Sequence, residues 1–229
     1  MKANRLVLLA VAGTSMLAFA GCAPSGNVAA RVGSSTVPTS DVDFLTRMQC
    51  ITLDKEAASG TAQGAQMVPT TQVRIGMANT LVQSELNRQL AERKHLSYDR
   101  STLTGAMAQF APVLKSVPAK DRDRFRTMVE DIYRGQLQVY TLAQTKLADQ
   151  GVANPSQDQI TKAVNDLQSQ YRKSIDVEVN PQYGAGTSGV AGSTDPSLSR
   201  PVSSFAKQAG SAQPDARWVA KLPDGQRCG

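Results

Sequence analysis

Between Thr70 and Tyr171 apolar residues recur every three or four positions, segment after segment, and that period dictates helices packed through one face. Ile75, Ala78, Val82, Leu86 and Leu90 form one stripe, widened by Met77 and Leu81, and predict a helix from Thr70, as its cap, to about His95. Leu103, Met107, Phe110, Leu114 and Val117 form a second, in which Pro112 predicts a kink or an early stop near Ala111. Residues 119–150 give the longest candidate, with Phe125, Met128, Ile132, Val139 and Ala143 on one side and Gly151 as its C-cap. Ser156 and Gln159 then make a capping box for a helix burying Ile160, Val164, Leu167 and Tyr171. Aromatic residues are only 5% of the chain, so Leu, Val, Ala and Met must close these faces.

Two short stretches break the helical period. Val28 to Val37 reads as a hairpin turning at Gly33-Ser34-Ser35. Ile175 to Val179 alternates apolar and acidic residues, as a half-buried strand does, and its evident partner is that hairpin. Between hairpin and first stripe, Ser40 with Asp43 suggests a capped helix burying Phe44, Leu45, Met48 and Ile51, with Cys50 near its end and a loose loop over 54–69. The expected fold class is therefore mainly α. About five amphipathic helices carry a small β-element pairing 28–37 with 175–179. Residues 181–217, dominated by Gly, Ser, Ala, Thr and Pro, read as disordered. Trp218-Val219 to Leu222 and the turn at Pro223-Asp224-Gly225 read as a docking tail over 218–229, the alternative being a frayed end.

The N-terminus addresses the chain to a compartment. Lys2 and Arg5, the apolar run Leu6 to Ala20 and the small residues before Cys22 have the order of a secretory signal peptide, too short to cross a bilayer as a mature helix. Ala18-Phe19-Ala20-Gly21-Cys22 resembles the bacterial lipobox. That resemblance implies a leader over 1–21, a lipidated Cys22 as mature N-terminus, a tether over 22–27 and a domain over 28–180 on the extracytoplasmic face of the cell membrane. The alternative is ordinary secretion with an incidental Cys22. Loss of Lys2 and Arg5 with the leader takes the formal net charge from +6 to about +4. The basic residues alternate with acids along Lys120 to Arg124, which describes a solvated helix face and not a nucleic-acid stripe. The membrane is then met through the lipid, and no nucleic-acid partner is expected. With Cys22 assigned to lipid, Cys50 and Cys228 remain as a pair in an oxidising compartment, a disulfide or two free thiols. Loop entropy sets an upper bound of about 5 kcal/mol on what such a bond contributes.

No constellation for acid–base, nucleophilic or metal chemistry assembles. Glu130 and Asp131 are adjacent in a helix and point apart, and Gly184, Gly186, Gly189 and Gly192 belong to low complexity. No catalytic residue, metal ligand or cofactor is expected, so the chain does not read as an enzyme. Met48, Met67, Met77, Met107 and Met128 with Phe44, Phe110 and Phe125 could line an adaptable apolar surface, because Met suits promiscuous binding. Helical spacing equally makes most of them core. Met67, Met107 and Phe110 are the candidate polypeptide contacts.

The order of elements resembles the N-terminal domain of SurA/PrsA-type peptidyl-prolyl isomerase chaperones, over roughly residues 28–180. Three stretches carry the likeness: Ala29-Ala30-Arg31-Val32-Gly33 with Val37 to Asp43; Leu81-Val82, Glu85-Leu86, Gln89-Leu90-Ala91 and Lys94; and Asn154 to Ile160 running on to Tyr171. Isomerase-bearing members add a parvulin domain whose site draws on paired histidines. Here His95 is the sole histidine, within Arg93-Lys94-His95, and low complexity follows Val179. The resemblance implies an isomerase-less, lipid-anchored relative that holds newly exported or unfolded polypeptides without ATP. An envelope scaffold or accessory subunit with one specific protein partner is the alternative.

Overall fold

The computed structural model describes residues 26–59, 67–183, 203–209, 211 and 213–229. Cys22, the leader and the glycine-rich stretch 184–202 lie outside the described residues. The chain opens with β1 (Val28–Val32) and β2 (Ser35–Pro38), followed by α1 (Thr39–Ser59), β3 (Val68–Pro69) and α2 (Thr70–Arg93). Next come α3 (Arg100–Ser116), α4 (Arg122–Asp149), α5 (Gln157–Arg172) and β4 (Val177–Val179). Two short helices, α6 (Ser204–Ala209) and α7 (Ala216–Val219), precede β5 (Arg227–Cys228). The fold is mainly α, with seven helices among the described residues and two small antiparallel sheets.

The chain ends meet as the alternation at residues 175–179 requires. β1 is central in the order β2-β1-β4, with Ala30 opposite Val179 and Val32 opposite Val177. Gly33 turns the hairpin at φ +56°, a left-handed value that glycine adopts without strain, and its amide donates to the Asp176 carbonyl at 2.8 Å. One face of this sheet lies on α2. Ala29, Ala30, Val32, Val37 and Val179 bury against Ala78, Val82, Leu86 and Leu90, with Val139 of α4 and Tyr171 of α5 closing the layer. Gln89 ties helix to sheet by donating to the Val32 carbonyl at 2.9 Å.

A second core lies on the other side of α1. Phe44, Leu45 and Met48 meet Leu114 and Val117 of α3 and Phe125 and Val129 of α4. Phe125 is the hub, edge-on to Phe44 at 6.4 Å and to Phe110 at 5.5 Å. Arg124 covers the outer face of Phe44 at 4.1 Å while holding Asp41 at 2.7 Å. A third, smaller core joins Ala143 to Ile160 and Ala163. Helices α2 and α4 approach closely at Gly135, where an added Cβ would stand 3.2 Å from the Asn87 Cβ. Asn87 is itself buried there, its carbonyl accepting from Gln83 at 3.3 Å and Gln168 at 2.9 Å.

Helix boundaries moved where a side chain found a better partner. The Ser156–Gln159 capping box forms as expected, and Gly151 follows α4 at φ +85°. The Ser40–Asp43 box does not open α1, which starts one residue earlier. There the Thr39 amide and hydroxyl reach back to the Asn27 and Gly26 carbonyls at 3.0 Å each, and Asp43 pairs with Arg74 instead. α1 also runs on to Ser59, so Cys50 sits in its middle and residues 54–59 of the expected loop are helical, while 60–66 lie outside the described residues. Pro112 does not stop α3, which continues to Ser116. Ala108, whose carbonyl loses its helical partner to the proline ring, lies on the exposed face where water can serve it.

The segment read as disordered is structured in part. Pro181–Tyr183 form a 3₁₀ turn that inserts Tyr183, fully buried at 0% exposure, into the sheet–helix core. The folded body thus extends past residue 180. A single aromatic with a whole core face to fill outweighs the poor helix and strand propensity around it.

Candidate functional site

Most of the chemistry that distinguishes this molecule gathers where its tail returns to α1 and α2. Because α1 and α2 are antiparallel neighbours, Cys50 in mid-helix faces the start of α2, and Arg74 reaches Asp43 at 2.7 Å. β5 lies antiparallel to β3, with Val68 opposite Cys228 and Pro69 opposite Arg227. This register delivers Cys228 to Cys50, and the two are joined as a disulfide with Cα atoms 4.8 Å apart. Thr70 does not cap α2. Its hydroxyl lies 3.6 Å from the Cys228 sulfur, and since a disulfide sulfur carries no proton, the hydroxyl is the donor.

The rest of the tail is fastened around that bond. Asp215 caps α7 by accepting from the amides of Arg217 at 2.8 Å and Trp218 at 3.2 Å. Val219 and Leu222 are buried. Arg227 donates to the Ala220 carbonyl at 2.5 Å and to Asp224 at 2.6 Å, and the Gly229 amide donates to Asp54 at 2.6 Å. The tail docks; it is not a frayed end. Trp218 packs with its ring tilted 58° against Phe205 of α6, centroids 5.1 Å apart, inside the stretch expected to be disordered, and Gln72 of α2 donates to the Ser211 carbonyl at 3.0 Å.

Two depressions flank the tail. One is a cleft of about 500 Å³ that reaches the disulfide from its Cys50 side, between Arg47, Arg74 and Arg227 and the carboxylates of Asp43, Asp54 and Asp224. The other is an apolar notch of about 240 Å³ between Pro69, Phe205, Trp218 and Leu222. Arg74 stands between them and stacks over Tyr183 at 5.4 Å.

The structure divides the candidate polypeptide contacts. Met67 is 38% exposed just before β3, with its sulfur 3.6 Å from the Arg227 guanidinium. Met107 and Phe110 lie on α3 and pack, half-buried, onto the second core. The three do not form one groove. Phe205, 57% exposed, is the large apolar side chain that joins Met67 at the surface, both beside the tail. Nothing in its low-complexity neighbourhood marks it except its size. Thr70, Arg74 and Asp43 acquire their roles only from the meeting of α1, α2 and the tail.

His95, in the turn just beyond α2, has a left-handed φ of 51° and lines a separate polar recess of about 540 Å³ with Arg88, Glu92, Leu96, Arg134 and Gln138. Both arginines there are committed. Arg88 pairs with Glu85 and Glu92, and Arg134 with Glu130 at 3.2 Å and Asp131 at 2.8 Å. Burial tends to raise the Glu85 carboxyl, but hydrogen bonds from Arg88 and Gln89 outweigh it and hold it below its ordinary value. Such a recess is a solved network of ion pairs. Among the described residues no group of three His, Cys, Asp or Glu side chains could hold a metal ion, and no helix is long and apolar enough to cross a membrane. Compared with protein-family models, curated proteins and solved structures, the chain finds no match in any of the three.

Proposed function

We propose that this protein is a lipid-anchored extracytoplasmic module that binds exported or unfolded polypeptides reversibly, without isomerase or other catalytic activity. One observation carries the binding site: the large apolar side chains exposed among the described residues are Met67, just before β3 with its sulfur against Arg227, and Phe205, which lines the apolar notch beside the tail. The notch admits one or two side chains of a client, while the Val68–Pro69 ladder offers extended backbone next to it. A helical body closed at one end by a hairpin and a returning strand is also what resemblance to SurA/PrsA-type domains implies. Six residues from Cys22 to Asn27 reach at most about 20 Å, so a lipidated Cys22 holds the folded body close to the membrane from which exported chains emerge.

The full-length protein at several-fold molar excess is expected to suppress aggregation of an unrelated chemically unfolded protein, and Met67→Glu with Phe205→Glu should abolish that suppression. No suppression by the wild type overturns the reading. The notch's small size then favours the second one, an envelope accessory subunit recognising one partner. Mass measurement of the mature N-terminus from a bacterial membrane fraction tests the anchor, which Cys22→Ser should remove.

A further inference from the structure

We propose that Cys50–Cys228 is a thiol–disulfide exchange site, opened by a dithiol reductant that attacks Cys50, and that its opening releases the tail from the helical body. The two sulfurs are not equivalent. Cys228 is 1% exposed, shielded by β3 and Thr70, whereas Cys50 is partly exposed and lines the 500 Å³ cleft. An incoming thiolate therefore meets Cys50 first, in a cleft where Arg47, Arg74 and Arg227 offset the carboxylates of Asp43, Asp54 and Asp224. It bonds to the Cys50 sulfur as the S–S bond breaks, and the electron pair of that bond passes to the Cys228 sulfur. The departing Cys228 thiolate keeps the hydrogen bond already donated by Thr70, which lowers the cost of its charge, and then takes a proton from water. The reductant's second thiolate displaces Cys50 from the mixed disulfide, so the reductant leaves oxidised and both cysteines remain as thiols.

What the bond restrains is a segment with few other fastenings. The β3–β5 ladder pairs two residues on each strand, and beyond it the tail is held to the body chiefly by the buried Val219 and Leu222, the Gly229 amide on Asp54 and the Gln72 amide on the Ser211 carbonyl. The five long helices pack through their own cores, which do not include the tail. Exchange should free residues 203–229 while leaving the body folded. This holds whatever the protein binds.

The oxidised full-length protein supplies its own reporter in Trp218, the sole tryptophan. Brief exposure to glutathione in native buffer, followed by acid quench and peptide mass mapping, should place the adduct on Cys50. Dithiothreitol should red-shift the Trp218 emission and speed tryptic cleavage at Lys221 at least about tenfold, with far-UV circular dichroism unchanged. Thr70→Val should slow the exchange several-fold without altering tail protection in the oxidised state. An adduct on Cys228, reduction only in denaturant, a tail still protected after reduction, or loss of helix on reduction each overturns the proposal.

Discussion

Replacing Gly135 by alanine sets two effects of similar size against each other, and the structure decides which wins. In an unencumbered helix interior, glycine to alanine is favourable by about 1 kcal/mol, because alanine loses less backbone entropy on folding. At Gly135 the new methyl would stand 3.2 Å from the Asn87 Cβ and 3.8 Å from both the Arg88 nitrogen and the Ser84 carbonyl oxygen. The two backbone contacts at 3.8 Å are ordinary, but the Asn87 Cβ at 3.2 Å is fixed to its own backbone and cannot rotate away, so relief requires α2 and α4 to move apart by a few tenths of an ångström. Overpacking of this kind costs about 1–3 kcal/mol. The net expectation for Gly135→Ala is a loss of about 1 kcal/mol, or a Tm lower by about 2–4 °C in a chain of this size. Gly105 in α3 is the control, since it is exposed and an added Cβ meets nothing within 4 Å. Gly105→Ala should therefore raise Tm by about 2–4 °C. Thermal and urea unfolding followed by far-UV circular dichroism would measure both. If Gly135→Ala is as stable as Gly105→Ala, the α2–α4 crossing is looser than described and the reasoning fails.

Tyr183 separates apolar filling from hydrogen bonding. Its hydroxyl is buried with no hydrogen-bond partner among the described residues, so Tyr183→Phe should leave urea stability unchanged or slightly higher, whereas Tyr183→Ala should cost about 3–5 kcal/mol. Asn87→Ala leaves the Gln83 and Gln168 amides without their acceptor and should lower stability by about 1–3 kcal/mol in the same assay. Asp99 caps α3, and hydrogen bonds from Ser101 and then Thr102 hold its carboxyl down to about 2 from an ordinary 3.8. Because folding lowers this pKa, the cap's contribution is complete above the unfolded value and is lost as pH falls through the folded one. Asp99→Ala should accordingly destabilise at neutral pH, with the deficit against wild type shrinking below about pH 4 and this contribution gone only below about pH 2.

The helical frame and its closure by β4 on β1 were legible because burial imposes a period. Val82, Leu86 and Leu90 could bury together only on a helix, and Val177 and Val179 only on a strand. Ser156 and Gln159 fixed their helix start because the capping box is local chemistry. Boundaries set by distant partners were not legible. Asp43 gave up a cap for Arg74, and Thr70 gave one up for the Cys228 sulfur. Tyr183 and Phe205 were hidden by their company, since low-complexity neighbours dilute every windowed signal.

Of the candidate site, the Cys50–Cys228 pair could be counted out of three cysteines, but its unequal exposure could not. By itself the sequence determined a mainly helical body, the meeting of its two ends and the cysteines available to bond. Those follow from local periodicity and composition, which every residue carries with it. Only the tertiary structure decided that the tail seats beside Arg74 and Phe205, that Met107 and Phe110 turn toward a core, and that one sulfur faces a cleft. Such facts depend on which surfaces meet between segments distant in the chain, across 150 residues or more for the tail and the disulfide, where a few ångströms of helix position set the outcome and no local pattern records it.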